Sequence, residues 1–321
     1  MWSWAEWIAD GIVEWTGWDR AHGAGAALHF FVYDLLKIVV LVATVAFVMA
    51  LVRGALPMAR LRAALDRPGG RVFGYPAAAV FGALTPFCSC SSVPVFLGFV
   101  QARFPIGVAF AFLITSPLVN EIAVALLGAT FGWRFALAYA AAGIALGIVG
   151  GLGLTLLRAE RWLTPGAMQP TDADDDEAPH GLRGRLLDAA DTSLHILRKI
   201  APWLLASLAL GAGMHGFVPE GFFENLFADT GAWTVPLASL AGLPLYVSAN
   251  ATVPLLDAFV SKGVPLGTAL AFLLSAVGVS LPELILLRSV MTVRLLASFA
   301  TVVLLGTTLI GWLFNILRAA P

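Results

Sequence analysis

Charge is what this chain has little of. Only 12% of its 321 residues are Asp, Glu, Lys or Arg, against about 25% in soluble domains. With 59% hydrophobic residues and a mean hydropathy of +0.87, the chain reads as a polytopic membrane protein. A net charge of −1 lacks the basic balance of a nucleic-acid binder, so no such partner is expected. Two cysteines, spaced i, i+2, are too few and too close for a secreted disulfide framework. Five histidines form no sequence cluster, and no cofactor motif is present. A phosphate-cradling G-x-x-x-x-G-K-[ST] loop is also missing, which excludes an ATPase of its own. The first residues, Met1 to Glu6, carry no basic segment. A cleaved signal peptide is therefore not expected, and the chain is read as beginning at Met1.

Against this background one stretch stands out. Both cysteines fall in Thr85-Pro86-Phe87-Cys88-Ser89-Cys90-Ser91-Ser92-Val93-Pro94, inside an apolar run from about 73 to 100. Proline removes a backbone donor and breaks a helix. An open backbone at membrane depth is tolerated only where protein or a water-filled cavity surrounds it. The stretch is therefore expected to be a broken membrane helix lined by thiols and hydroxyls. In an α-helix, residues i and i+2 point roughly 200° apart; in an extended stretch they share a face. Cys88 and Cys90 would grip one soft centre together only where the helix is unwound. The plainer alternative is a kinked helix with two thiols packed as small hydrophobes.

Four regions follow from composition. Residues 1–27 carry Trp2, Trp4, Trp7, Trp15 and Trp18, and Trp4, Trp7, Ile8, Trp15 and Trp18 recur at helical spacing, which predicts an interfacial Trp-rich helix. Residues 28–157 form a first transmembrane repeat. Residues 158–195 hold the acidic run Asp172 to Glu177 and then an amphipathic pattern, a cytoplasmic acidic linker and helix. Residues 196–321 form a second transmembrane repeat. Within the first repeat, Asp34 and Lys37 stand one turn apart, and Thr115-Ser116-Pro117 with Asn120-Glu121 marks a second polar break.

The two halves are similar at a shift of 160 residues. Between Val93 and Leu113, ten positions repeat, among them Pro94 with Pro254, Pro105 with Pro265 and Gly107 with Gly267. Cys88, Cys90 and Ser92 then stand opposite Ser248, Asn250 and Thr252. The arginines of 53–71 and those flanking the linker belong on the cytoplasmic side by the positive-inside rule. Both fall there if 73–100 is a re-entrant hairpin, and on opposite sides if it crosses once. The hairpin makes the fold an all-α membrane protein of two inverted repeats, a plan common among transporters. Lys262 and Arg318 count against it, and a crossing segment remains the alternative for 73–100 and for 233–260.

The motif of 85–94, followed by Phe112-Leu113-Ile114-Thr115-Ser116-Pro117-Leu118-Val119-Asn120, resembles the signature of the ArsP/YraQ-type permeases over most of 28–316. The resemblance implies a permease of the bacterial inner membrane. Some members of that family export trivalent organoarsenicals, and many have no assigned cargo. Thiolates prefer soft partners, which fits such a solute. The expected function is a secondary transporter, not an enzyme, exporting a small soft or thiol-reactive solute. Its expected substrate contacts are Cys88, Ser89, Cys90, Ser91, Ser92, Asn120, Asn250 and Thr252, without cofactor or metal. A buried carboxylate is a common proton carrier, and Glu121 is the first candidate, ahead of Asp257 and Glu283. The competing readings are a membrane thiol oxidoreductase using Cys88 and Cys90, and a permease for an unrelated solute or sulfur compound. The expected partners are the small solute and the lipid bilayer, with homo-oligomerisation open.

Overall fold

The computed structural model describes residues 3–18, 23–55, 70–85, 89–164, 182–217, 231, 233–245 and 249–319. These residues are nearly all helical. The N-terminal helix α1 (Ser3–Thr16) buries Ala5, Ala9 and Val13 and leaves Trp7 and Trp15 exposed. It packs on α2 (Gly23–Ala55), and His29 of α2 meets Asp10 of α1 at 2.9 Å. This is an amphipathic helix with an aromatic outer face, as tryptophan at a membrane interface requires.

The first repeat continues with α3 (Gly70–Leu84), α4 (Ser89–Gln101), α5 (Ile106–Leu118), α6 (Glu121–Thr130) and α7 (Trp133–Leu156). A 3-10 turn (Ala159–Trp162) follows. The second repeat holds α8 (Leu182–Phe217), α9 (Thr234–Gly242), α10 (Ala249–Ser261), α11 (Leu266–Gly278), α12 (Leu281–Leu287) and α13 (Val293–Ala319). Four of these stretches are long and apolar enough to cross a membrane: Ala24–Val48, Trp133–Leu156, Leu266–Leu287 and Val293–Leu317. The pair α5 and α6, bent by 43°, makes a fifth. The amphipathic helix expected within 158–195 and the start of the second repeat are one continuous helix, α8.

The 160-residue shift holds in three dimensions. Both α4 and α10 have 13 residues, and their starts, Ser89 and Ala249, differ by 160. The same is true of α5 and α11. Contacts repeat too. Gly82 packs against Phe112 and Ser116, and Gly242 against Phe272 and Ala276. Gly107 packs against Gly151 and Thr155, and Gly267 against Gly311 and Asn315. Phe99 meets Phe112 edge-on at 5.4 Å, and Phe259 meets Phe272 edge-on at 5.5 Å. In the turns after α4 and α10, Arg103 (φ 57°) and Gly263 (φ 90°) hold the same left-handed position.

Contacts also give helix directions. On α5, Gly107 lies by Tyr75 while Phe112 and Ser116 lie by Gly82, so α3 runs parallel to α5. Ser92 meets Ser116 and Phe96 meets Phe110, so α4 runs antiparallel to α5. The chain therefore reverses between α3 and α4. Pro86 accounts for the stop. The residue before a proline is pushed out of the α region, and α3 ends at Leu84, just before Thr85.

The equivalent helices α7 and α13 run in opposite directions. Phe135 stacks edge-on with Phe314 at 5.1 Å, Leu146 packs on Gly306, and Gly150 packs on Val302. Positions rise along α7 as they fall along α13. The corresponding end loops diverge accordingly. The segment after α7 is tied to the loop before α13 by a Leu163–Met291 bridge and by Thr292 N donating to Trp162 O at 3.1 Å. The loop before α7 lies at the other end of that helix. This is the arrangement inverted repeats require, and the fold is compatible with them.

Candidate functional site

The centre of the molecule is where the two repeats break. Chain direction inside α5 survives Pro117, whose missing donor costs only the bond to Leu113. The helix stops at Val119, which is extended (φ −125°). Asn120 then opens α6 as its N-cap, its Oδ1 accepting from Ala123 N at 2.7 Å. That bond satisfies one of the orphan donors of a helix start. The carbonyl of Leu118, left over at the end of α5, accepts from the Tyr139 hydroxyl of α7. Leu118 in turn packs on Gly278, where α11 ends. The two breaks thus adjoin.

The cysteine motif reaches this centre through α4. Ser92, the fourth residue of α4, is buried, and its Oγ lies 2.7 Å from Ser116 Oγ, two residues before the end of α5. Helix α4 also packs on α12 of the other repeat, and α10 packs on α6. The exchange is reciprocal, as a two-fold relation demands. Of the expected site residues, Ser92, Asn120 and Thr252 are buried. Thr252 is the fourth residue of α10, the place Ser92 has in α4.

Several expectations need correction or fall elsewhere. Cys90, expected in an extended stretch, is instead in the first turn of α4. The reason is that Pro94, sixth in the helix, withholds only the donor for the Cys90 carbonyl. It leaves that carbonyl open without unwinding the turn. Pro254 does the same for Asn250. Cys88 lies outside the described residues, as do the side chains of Ser89, Cys90, Ser91 and Asn250. Glu121 is exposed at the start of α6, and Asp257 is exposed on α10. Glu283, by contrast, is buried at 3% exposure. Lys37, read beside Asp34, places its ammonium 5.7 Å from the centre of the Tyr33 ring. Ser116 belongs to the polar break legible in the sequence, whereas Tyr139 is not singled out by it. Tyr139 carried a faint signal, because the repeat shift pairs it with Phe299. Among the described residues no three His, Cys, Asp or Glu gather as a metal site.

Comparison with known proteins fits this architecture. The chain is 29% identical over 233 residues to the UPF0718 protein YraQ of Escherichia coli (strain K12), covering 70% of this chain. The match spans 63% of that relative's own length. It is 21% identical over 311 residues to the UPF0718 protein MJ0584 of Methanocaldococcus jannaschii, covering 77% of this chain and 83% of the relative. No solved structure matches. Residues 24–316 match the profile of the family described as "Predicted permease", which takes in both repeats and leaves out α1. A multi-pass helical body, broken spans adjoining at its centre and a match across both repeats have one common reading: the chain belongs to this family of predicted permeases.

Proposed function

We propose that the protein is a secondary transporter that exports a small soft or thiol-reactive solute, of the class of a trivalent organoarsenical, with Cys88 and Cys90 at its site. One observation carries the reading: the chain reverses direction between α3 and α4, and the cysteine motif begins in the segment that joins them. Helices α3 and α4 have 15 and 13 residues, about 22 and 20 Å at roughly 1.5 Å per residue. Each is shorter than a hydrocarbon core of about 30 Å. A hairpin of that depth enters and leaves on one side and puts its tip inside the membrane. Its open ends lie on the side where α7 ends, since Tyr75 Oη is 2.9 Å from Thr155 Oγ1.

The chemistry of the tip suits a soft solute. The start of an α-helix is electropositive and favours anionic groups, and the thiolate is the form of cysteine that ligates. Cys88 directly precedes α4 and Cys90 lies in its first turn. Ser89, Ser91, Ser92, Asn120, Asn250 and Thr252 supply the hydroxyl and amide contacts around it. Glu121, exposed at the start of α6, stands in this reading at the mouth of a proton route rather than inside it. The repeats serve as two halves that rock about the shared centre, exposing the tip to either side in turn.

The test is protection of the thiols. Purified protein in detergent is treated with a maleimide in the presence of monomethyl trivalent arsenical. Protection of both cysteines, weakened at least about tenfold (about 1.4 kcal/mol) in Cys88→Ser or Cys90→Ser, supports the site. Equal labelling with and without the arsenical removes the cysteines from it.

A further inference from the structure

The break between α5 and α6 and the break between α11 and α12 occupy the same place in the two repeats but differ in chemistry. In the first, every polar group named above is satisfied from within. Leu118 O receives Tyr139 OH, and Asn120 Oδ1 receives Ala123 N. At the 160-residue shift these four positions are Gly278, Phe299, Ser280 and Glu283. Phe299 has no hydroxyl to give the Gly278 carbonyl. Pro282, four residues on from Gly278, has no N–H to give it either.

Ser280 stands at the N-cap position of α12 but makes no capping bond. Its hydroxyl is buried, with the residue 1% exposed, and has no hydrogen-bond partner among the described residues. The sequence Ser280-Leu281-Pro282-Glu283 is that of a capping box, and the serine half of the box is not made. The Leu281 amide is spent on the Leu243 carbonyl at 2.7 Å. What the second break presents is oxygen: a carbonyl, a hydroxyl and the buried carboxyl of Glu283. Hard oxygen ligands suit hard cations.

We propose that the Gly278 carbonyl, the Ser280 hydroxyl and the Glu283 carboxyl form the site of a monovalent coupling cation, Na⁺ or a proton. The site rests on the transporter reading above. Its occupancy is felt at the cysteine hairpin because α12 packs on α4. The elements packed on α12 are α4, α8 and α13. Of their titratable groups, Asp191, His195 and Arg198 on α8 and Arg294 on α13 are exposed. Cys90 on α4, Arg183, Arg185, Asp188, Lys199 and His215 on α8 and Arg318 on α13 have side chains outside the described set. On α12's own C-cap, Arg288 donates to Met291 O at 3.0 Å.

The experiment needs no transported solute, so it stands or falls apart from the cargo. The melting temperature of the purified full chain is measured from pH 5 to 9, in NaCl and in choline chloride at equal ionic strength. A Na⁺ site gives a saturable rise with Na⁺ that Glu283→Gln abolishes. Ser280→Ala weakens its half-saturation roughly tenfold, about the cost of one lost oxygen contact. A proton site gives no Na⁺ effect but a pH transition that Glu283→Gln removes and Ser280→Ala displaces. Should Gln not fold, Glu283→Asp must still move the half-saturation or the midpoint. A wild type indifferent to both ions overturns the proposal. So do variants that lower the melting temperature equally in every condition.

Discussion

Leu118 and Gly278 pack against each other at the centre of the molecule, and they are the same position of the two repeats. A self-paired position marks the axis of a two-fold relation. Leu146 and Gly306 are a second such pair, between α7 and α13. Both pairs set a leucine against a glycine, so the repeats have diverged to fill one space from one side.

Topology gives the first prediction. Single cysteines are placed near Arg60, near Ala173 and at Gly132, in a chain lacking Cys88 and Cys90. The first two are labelled from one side of the membrane by an impermeant maleimide, and Gly132 from the other. Labelling of the first two from opposite faces contradicts the hairpin.

The glycines give a second, through one substitution with two opposite outcomes. A Cβ on Gly151 would stand 3.0 Å from Ala111 N and 3.1 Å from Ala111 Cβ. Gly151→Ala therefore destabilises by about 1–3 kcal/mol, as overpacking does. Gly98, inside α4, has nothing within 4 Å of its would-be Cβ. Gly98→Ala stabilises by about 0.5–1 kcal/mol, the helix cost of glycine. Thermal melts in detergent read both, and shifts of the same sign count against the packing described.

Tyr139 gives the third. Tyr139→Phe keeps the ring and strands the buried Leu118 carbonyl, a cost of about 1–3 kcal/mol. It also makes position 139 like Phe299 in the other repeat. The melting temperature falls, and backbone exchange at Val119 and Asn120 speeds up by hydrogen exchange. Unchanged exchange there means the hydroxyl does not hold the break.

Much of the architecture is legible in the residues because proline and glycine are hard to place by chance. Pro94, Pro105 and Gly107 recur at Pro254, Pro265 and Gly267, and the helices between them recur with the same bounds. The break at Asn120 is legible for the same reason, as an N-cap residue followed by an acid. The direction of α4 is not legible from composition alone, since it is set by packing on α5 through Ser92, Phe96 and Phe99. Nor is the facing of the acids. Glu121, Asp257 and Glu283 all follow a polar break in an apolar run, yet only Glu283 of the three is buried. Burial there depends on which neighbours, α4 and α8, close over the half-helix. The unmade cap at Ser280 is also invisible in a sequence that spells a complete capping box.

Flux tests the transporter and its thiol site together. Proteoliposomes are loaded with purified chain, given a pH gradient, and supplied with monomethyl trivalent arsenical, arsenic being counted inside. Wild-type protein is expected to accumulate arsenic faster than empty liposomes, with acceleration by the gradient, and Cys88→Ser/Cys90→Ser to return the rate to that of empty liposomes. Equal gradient-driven rates in wild type and the double variant would contradict the site at the hairpin tip.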